Sequence, residues 1–451
     1  MNDILKTYNL SFLDYARNLS FISQNETLAN VFFDYNSKLI PLSLSELSSS
    51  ADLVIKSNLL GPIAFVTPEI GRWSTVGGLG VMVDELSQGL VKLGQEVIMI
   101  SPYYEKNRKG ETGYLQNDPA KFQYLGNIEV NLDKKYIFGI HHGEVNGVKL
   151  YFLHNYEIFP SPYPEGNNIF IMKQISLFSK AALELLCFIS VVPAIIVTND
   201  WFTGLCAAYS KNNHFGETFK GSTFFHIVHN LEPTYEGRIY TNVQEGGLEY
   251  IHKLPSHCLI DPYWKARVIN PSRCAILMSD QWGTVSPSYR KDLLETSPLS
   301  AILNIHKKPF AYPNGIFKEQ RLRALTTKVG SNKDEAKEKI QMKYFGYSSG
   351  DINVPLFSFV GRITQQKGVL LILEAAETII NKYDGKVNIL VGGMGNPKDP
   401  YCASCMTKIN NLRGKYPYSF WADPNEFFTD GPLINLGSDF ELMHLFLNQA
   451  E

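Results

Sequence analysis

The sequence predicts an α/β protein with two domains, each built on a mainly parallel sheet. Two observations carry this prediction. Short apolar segments alternate with helical patterns from Leu60 to about Ile316, and the same alternation begins again at Pro355. Glycine loops also follow predicted strands, as at Gly77-Gly78 and at Gly361. Ligands of open parallel sheets bind beyond the carboxyl ends of the strands, so these loops are the first candidate sites.

Length and composition fit a folded protein. The chain has 451 residues, of which 44% are hydrophobic and 12% aromatic. The formal net charge is -2 and no basic stripe stands out, which argues against a nucleic-acid partner. The N-terminus lacks a secretory signal and no segment reaches membrane-spanning length. We therefore predict a cytoplasmic protein with no membrane partner.

The first elements of the chain predict a phosphate-binding loop. Residues 1–60 are rich in Asn and Ser and carry no recognisable chemistry, so we interpret them as an N-terminal extension, either a linker from a lost upstream module or a segment specific to this family. A buried strand is predicted at Ile63–Val66, and apolar residues at helical spacing follow the glycine loop. Gly77 and Gly78 lack Cβ atoms, so backbone amides and the positive helix end could approach a diphosphate. Glycine pairs are also common in ordinary turns.

The rest of the first domain, which we place at residues 61–322, alternates strands and helices. Tyr103–Lys149 predicts a longer hairpin region, and Lys173–Phe188 a long amphipathic helix. Further strands are predicted at Glu96–Ile100, Lys149–Leu153, Ile195–Thr198, Ser222–Val228 and Gln281–Val285.

The second domain, which we place at residues 323–451, begins with a charged helical segment at Leu325–Tyr347. A helix is predicted at Leu370–Tyr383. The Cys402-x-x-Cys405 pattern has no second pair or nearby histidines, so we interpret it as structural rather than redox or zinc-binding. Strands are predicted at Pro355–Val360, Val387–Val391, Tyr418–Trp421 and Leu433–Leu436.

Arg362 and Lys367 follow the strand at Pro355–Val360 and precede Gly368. A guanidinium binds two phosphate oxygens at once and an ammonium adds a compact positive charge, so the pair could stabilise a diphosphate leaving group. An Arg and a Lys at this spacing are ordinarily a surface pair, but the position after a strand favours the phosphate role. The sequence contains no Asp-x-Asp motif, which agrees with transfer that needs no metal.

Several separated motifs occur along the chain in a fixed order. They are Glu69, Gly77-Gly78-Leu79, Asn199-Asp200-Trp201, His229-Asn230, Glu236-Gly237, Thr284-Val285-Ser286-Pro287, Asn314-Gly315-Ile316, Gly361-Arg362 and Gln366-Lys367-Gly368. In this order the sequence resembles the bacterial-type glycogen and starch synthases over about residues 61–443. These are retaining glucosyltransferases of the GT-B fold, in which two Rossmann-like domains face a cleft.

The resemblance implies transfer of glucose from ADP- or UDP-glucose to the nonreducing end of an α-1,4-glucan, with retention and without a cofactor or metal. The acceptor would enter through the cleft. The resemblance assigns catalytic roles to Asp200, His229, Arg362 and Lys367. It assigns donor or substrate binding to Glu69, Thr75, Gly77, Gly78, Trp201, Asn230, Asn314 and Gly361.

The residues alone leave two of these roles open. Asp200 precedes a helical segment and could be its N-cap, since aspartate caps helices well. A lone histidine at a strand end, such as His229, is more often a hydrogen-bonded structural group than a ligand.

The chain departs from the family pattern at two places. Thr75 stands where the family has a lysine that helps to bind the donor, and a neutral hydroxyl cannot replace that charge; Arg72, one helical turn away, could supply it. After Met443 the family continues Pro-Ser-x-Phe-Glu-Pro-x-Gly, whose glutamate faces the donor glucose. This chain has Asn448 at the glutamate position.

The last residues predict a frameshift. Deleting one cytosine from codons for Met-Pro-Ser-x-Phe-Glu-Pro-Gly-Gly yields Met-His-Leu-Phe-Leu-Asn-Gln-Ala and the start of Glu, as in Met443–Glu451. We therefore interpret the second domain as incomplete. We expect it to fold poorly, with an uncovered flank at Leu433–Leu436, and synthase activity to be negligible. The nucleotide sequence across codon 444 tests this interpretation.

Two alternatives to an active synthase stay open. A catalytically inactive homologue would bind glucan or regulate a partner synthase, as Thr75 and the missing glutamate suggest. A glucan phosphorylase-like protein shares the architecture but needs a pyridoxal phosphate lysine in the second domain. The sequence does not predict the oligomeric state or decide between ADP- and UDP-glucose.

Overall fold

A computed structural model describes residues 61–442 apart from 108, 164–165, 232–234, 262–267, 298, 306–308 and 426–427. The predictions for the extension at 1–60 and for the end at 443–451, including Asn448, lie outside the described residues. The chain divides into two compact units between Gly315 and Ile316.

The first unit is built on a nine-stranded sheet with β1 (Ile63–Val66) in its middle. Its other strands are β2 (Val97–Tyr103), β3 (Gln123–Asn131), β4 (Lys135–Val145), β5 (Val148–His154), β6 (Ile195–Asn199), β7 (Thr223–Val228), β10 (Gln281–Thr284) and β11 (Phe310–Ala311). They lie in the order β11-β10-β7-β6-β1-β2-β5-β4-β3. A separate antiparallel pair is formed by β8 (Ile239–Tyr240) and β9 (Val268–Ile269).

The predicted strands of this unit are confirmed to within a few residues. Every residue of β1 and β2 is buried, because helices cover both faces of a parallel sheet and apolar side chains point to both. The predicted hairpin region contains β3 and β4, which pair antiparallel, as β4 does with β5. All other pairs of this sheet are parallel.

Helices pack on both faces of this sheet. The predicted amphipathic helix is wrong in character: it begins earlier, at Asn168, and is buried around most of its surface. Even Lys180 is only 8% exposed, with its ammonium over the ring of Tyr209. The helix is covered by later segments of the chain as well as by the sheet, so both of its sides are interior. The helices of this unit are Gly71–Ser74, Gly78–Lys92, Asn168–Phe188, Cys206–Lys211, Glu249–His252, Ser256–Leu259, Pro271–Met278, Pro287–Thr296 and Ser300–Ile305.

The second unit contains a parallel sheet of four strands. They are β12 (Leu356–Val360), β13 (Asn388–Gly392), β14 (Phe420–Asp423) and β15 (Phe440–Glu441), in the order β14-β13-β12-β15. The charged segment predicted as one helix forms two, because the first ends at Gly330, whose φ of +86° favours glycine. The helices are Lys318–Val329, Lys333–Phe345, Val369–Lys382, Pro400–Lys415 and Gly431–Gly437.

The strand predicted at Leu433–Leu436 is wrong, since these residues lie in the Gly431–Gly437 helix. Pro432 occupies the first turn, where proline favours a helix start. Ile434 is fully buried in one cluster with Ile340, so the uncovered flank expected here is not found. The apolar edge lies at β15 instead, where Phe440 is 54% exposed and stacks on Phe357.

Candidate functional site

Three loops meet at the carboxyl edge of the first sheet. They follow β1, β6 and β7, which are neighbours, and the register pairs Val66 with Thr198 and Asn199 with Ile227. The strands therefore end at about the same level. The predicted residues Glu69, Asp200 and His229 begin these loops, so the structure brings the three together as expected for a parallel sheet.

The carboxylate of Glu69 supports the glycine loop from inside. One oxygen accepts the backbone N–H groups of Val76 and Gly77, at 2.7 and 2.8 Å. The other accepts the hydroxyl of Tyr163 at 2.9 Å, and Glu69 is only 4% exposed. Two amides that the sequence offered to a phosphate are thus bonded to Glu69. No local sequence pattern indicated this use of the carboxylate or of Tyr163.

The next residues of the loop stay open toward a ligand. Gly77 precedes the Gly78–Lys92 helix, and no side chain of the described part of the protein caps its first turn. A Cβ added to Gly77 or Gly78 would meet no described atom within 4 Å. The helix start therefore has free space beside it and no capping side chain at Gly77, an arrangement that suits an anion.

Thr75 and Arg72 do not add charge to this loop. The Thr75 hydroxyl donates to the carbonyl of Gly71, and its side chain packs against Gly80, where an added Cβ would lie 2.3 Å from Thr75 Oγ1. Arg72 forms two hydrogen bonds with Asp118, at 2.9 and 2.6 Å. The suggestion that Arg72 replaces the missing lysine is therefore wrong in this structure. Asp118 lies 46 residues away, and nothing in the sequence signalled the pair.

Asp200 binds backbone at the neighbouring loop. Its carboxylate accepts the N–H of His229 at 2.7 Å, and its side chain does not cap the turn Trp201–Thr203 that follows. The capping interpretation is therefore wrong. Burial raises the pKa of Asp200 to about 7, although the N–H groups of His229 and Asn230 oppose the shift.

His229 is a neutral imidazole at pH 7. Its Nε2 lies 3.1 Å from Asn199 Oδ1, and burial lowers its pKa to about 4. The nearby His226 is fully buried, with Nδ1 bound to the Thr198 hydroxyl at 2.9 Å, and is a structural residue of β7. His229 is less completely buried than His226, so it is the histidine of the two that a ligand can reach.

Trp201 packs against protein on one side. Gly237, at φ +69°, lies so close that an added Cβ would be 2.4 Å from indole Cδ2. The rings of Tyr163 and Phe202 lie 6.0 and 5.4 Å from the indole ring, centroid to centroid. A sugar could contact only what these groups leave uncovered, and the substrate-binding role of Trp201 stays a prediction. Glu236 is turned inward, with its carboxylate 2.6 Å from the buried Arg238.

The Thr-Val-Ser-Pro motif supports the loop after β7. The Thr284 hydroxyl donates to the carbonyl of Val228 at 2.9 Å, and Ser286 caps the Pro287–Thr296 helix. In that helix the Tyr289 hydroxyl accepts the N–H of Leu231 at 2.6 Å. Asn314, a predicted binding residue, is exposed just before the division between the units.

In the second unit Arg362 and Lys367 lie partly buried in the loop after β12. The N–H of Gly361 donates to the carbonyl of Gly392 at 3.0 Å. A Cβ added to Gly393 would lie 1.7 Å from the carbonyl oxygen of Gly361, so only glycine fits there. The loops after β12 and β13 thus cross closely, and this contact fixes the backbone that carries both cations.

Among the described residues no group of three or more His, Cys, Asp or Glu could hold a metal ion. The absence of a metal requirement stays a prediction. Cys402 and Cys405 are free and buried, and burial raises the pKa of both thiols. No helix in the described part of the chain is long and apolar enough to cross a membrane.

The fold and the motif-bearing loops define a glycosyltransferase of the GT-B type. The family model of the starch synthase catalytic domain matches residues 62–305, which is more than half of the chain. The chain belongs to this family.

Curated relatives and a solved structure agree with this assignment. The chain is 28% identical to a glycogen synthase of Finegoldia magna over 357 residues, which cover 73% of this chain and 69% of the relative. It is 26% identical to a glycogen synthase of Streptococcus sanguinis, over 74% of this chain and 70% of the relative. The catalytic domain of starch synthase IV from Arabidopsis thaliana, solved with ADP and acarbose, superposes with a TM-score of 0.71. That match is 22% identical in sequence, covers 86% of this chain and 78% of the other, and shows a shared fold.

Proposed function

We propose that the protein transfers glucose from ADP- or UDP-glucose to the nonreducing end of an α-1,4-glucan, with retention of configuration and without a metal. Three facts support the proposal. The chain belongs to the starch synthase catalytic domain family, its curated relatives are glycogen synthases, and the Arabidopsis protein of the same fold was solved with ADP and acarbose. The cytoplasmic location remains a prediction from the sequence.

In the first unit the proposed role of His229 and Asp200 is to hold the glucose. A neutral imidazole can exchange hydrogen bonds with sugar hydroxyls without attracting the diphosphate. Asp200 fixes the backbone of His229, and its raised pKa keeps a proton within reach near pH 7. The open helix start at Gly77 and Gly78 is proposed to meet the phosphate side of the donor.

In the second unit Arg362 and Lys367 are proposed to hold the diphosphate. Charge grows on the leaving group as the glycosidic bond breaks, so fixed cations stabilise the transition state more than the bound donor. The crossing of the loops at Gly361 and Gly393 supports this role, because it removes backbone freedom from the segment that carries both side chains.

The observation that carries the proposal is the meeting of Asp200 and His229 at one sheet edge beside the open glycine loop. The test is incorporation of labelled glucose from ADP-glucose and from UDP-glucose into glycogen by the purified chain. The proposal predicts label in the polymer and its release by an α-1,4-specific glucanase, and this result would contradict the negligible activity expected from the end of the sequence. Absence of label with both donors, from folded protein with added Mg²⁺ and without it, would refute the proposal.

A second candidate is a homologue that binds glucan but does not transfer glucose. Thr75 favours it, because its hydroxyl is bonded within the loop and Arg72 is paired with Asp118. Co-sedimentation with glycogen distinguishes the two: this candidate predicts binding to the polymer without label from either donor.

A further inference from the structure

The side chain of Asn199 joins three strands at the candidate site. Asn199 is the last residue of β6 and is 0% exposed. Its amide lies between the end of β1 on one side and the loop after β7 on the other. None of the roles assigned above includes it.

Two hydrogen bonds fix the orientation of this amide. Nδ2 donates to the backbone carbonyl of Val66 at 3.2 Å, and a carbonyl can only accept. Oδ1 must therefore face the other way, where it lies 3.1 Å from Nε2 of His229. An amide oxygen also only accepts, so the proton of the neutral imidazole has to sit on Nε2.

We propose that Asn199 is a positioning residue that holds His229 as the Nε2–H tautomer and leaves Nδ1 as a hydrogen-bond acceptor. The relay runs from the Val66 carbonyl through the Asn199 amide to the His229 ring. It sets both the ring orientation and the atom that carries the proton, as hydrogen-bond partners of catalytic and metal-binding histidines commonly do.

Only an amide can make this relay at position 199 without adding charge. A carboxylate would put two acceptors between a carbonyl and the ring, and an aliphatic side chain would remove the donor to the Val66 carbonyl and the acceptor at Nε2. A buried polar group without a partner is destabilising, so either change disturbs the site.

The inference deepens the proposed function, on which its consequence for the substrate rests. In the Nε2–H tautomer Nδ1 accepts, so it would bind a hydroxyl of the donor glucose as that group donates. Two titratable groups interact with His229: His226, whose pKa is lowered by burial and by His229, and Asp200, which binds the His229 backbone. The charge of Glu69 contributes to the raised pKa of Asp200.

The direct test is the tautomer of His229 in the unsubstituted protein. Long-range ¹H–¹⁵N correlation spectra at pH 7 distinguish the two ring nitrogens, and the signal is assigned by its loss in His229→Gln. We expect the Nε2–H pattern for His229. An Nδ1–H pattern, or a mixture of tautomers, would overturn the inference even if the enzyme transfers glucose.

A second variant tests the relay by titration. In Asn199→Asp the carboxylate accepts from Nε2–H and stabilises the imidazolium, so the His229 signal should titrate about one pH unit higher or more. His226 is the internal control, and Asn212→Asp is the matched substitution in the same unit, where Nδ2 donates to the Ala208 carbonyl. An unchanged His229 titration in folded Asn199→Asp would contradict the relay; if that variant does not fold, the tautomer decides.

Activity gives a separate readout. Protonated His229 cannot accept at Nδ1, so Asn199→Asp should lose more turnover at about pH 5, near the raised pKa of His229, than at about pH 8, while Asn212→Asp keeps the profile of the unsubstituted chain. Equal loss at both pH values would contradict the link between Nδ1 and the substrate. If the unsubstituted chain does not transfer glucose either, the proposed function is wrong. The tautomer of His229 still tests the role of Asn199, because that measurement does not depend on activity.

Discussion

Burial sets the protonation of the two residues that meet at the candidate site. The same low-polarity surroundings raise the pKa of the Asp200 carboxyl and lower that of the His229 ring, because both shifts favour the uncharged form. At neutral pH the imidazole is thus uncharged, and the carboxyl is about half protonated, whereas an ordinary aspartate is fully ionised. A sugar is neutral, so such a site suits it better than one with fixed charges.

Asp200→Asn should stabilise the protein more at high pH than at low pH. The folded pKa of about 7 lies above the ordinary value of 3.8, so ionisation of Asp200 weakens the folded state as the pH rises from about 4 to about 7. The variant cannot ionise there, and its amide oxygen can still accept the His229 N–H. His229 destabilises the fold as the pH falls from about 6.5 to about 4, but it does so in both proteins.

The measurement is the melting temperature of both proteins between about pH 5 and pH 8. We expect the difference, variant minus unsubstituted, to increase with pH. A difference independent of pH would show that Asp200 keeps an ordinary pKa.

Arg362→Ala and Lys367→Ala should each lower glucose transfer by about 10²–10³-fold, since one charge-assisted contact to a developing negative charge contributes about 2.7–4 kcal/mol. Arg362→Lys should retain charge but lose the two-pronged geometry and give an intermediate loss. The control is Lys408→Ala in the same unit. The Lys408 side chain is 43% exposed, and its Nζ lies 3.5 Å from Glu374 Oε1. Equal activity of the Arg362 and Lys408 variants would remove the diphosphate role.

At the scale of elements, the start of the Gly78–Lys92 helix combines a packed glycine with an open one. Gly80 lies against Thr75, whereas Gly78 faces free space among the described residues. The two positions lie on one turn, so substitutions there can distinguish an effect on stability, expected at Gly80, from an effect on ligand binding, expected at Gly78.

Gly80→Ala should destabilise the protein by about 1–3 kcal/mol, because the new methyl overlaps Thr75. Gly78→Ala should leave the free energy of unfolding unchanged or slightly improved, but should weaken ADP binding by filling the space at the helix start. Urea unfolding and calorimetric titration with ADP measure the two effects. Unchanged ADP affinity in Gly78→Ala would place the phosphates elsewhere.

The elements that the sequence predicted well are short buried strands with clear boundaries. Ile63–Val66 follows Gly61-Pro62 and matches β1 at both ends. The strand prediction at Leu433–Leu436 was wrong because four residues of mixed pattern fit either a strand or one helical turn. The packing of Ile434 in the core selects the helix, and the sequence does not show that packing.

The sequence predicted which motif residues form the candidate site, but not the contacts that hold them in place. The sequence pointed to Asp200 and His229, and to their loops at the ends of neighbouring strands. It could not show that Glu69 binds loop amides or that Arg72 binds Asp118, because such contacts depend on the path of the chain and leave no local pattern.

At the scale of the whole molecule, the formal net charge of -2 leaves no strong field around the protein. Raising NaCl from about 0.05 to about 0.5 M should therefore leave co-sedimentation with neutral glycogen unchanged. ADP binding should weaken if Arg362 and Lys367 bind the diphosphate as proposed. Arg362→Ala should reduce this salt dependence. Salt-sensitive glycogen binding, or salt-insensitive ADP binding, would contradict the prediction that only ADP is bound through charge.

The central place of β1 also affects synthesis on the ribosome. β2 follows β1 closely in the chain, but β6, which pairs with its other side, comes about 130 residues later. At about 5–20 residues per second that interval lasts roughly 6–26 s, during which one side of an entirely apolar strand has no partner. The nascent chain thus exposes a hydrophobic segment for long enough to engage a chaperone at the exit tunnel.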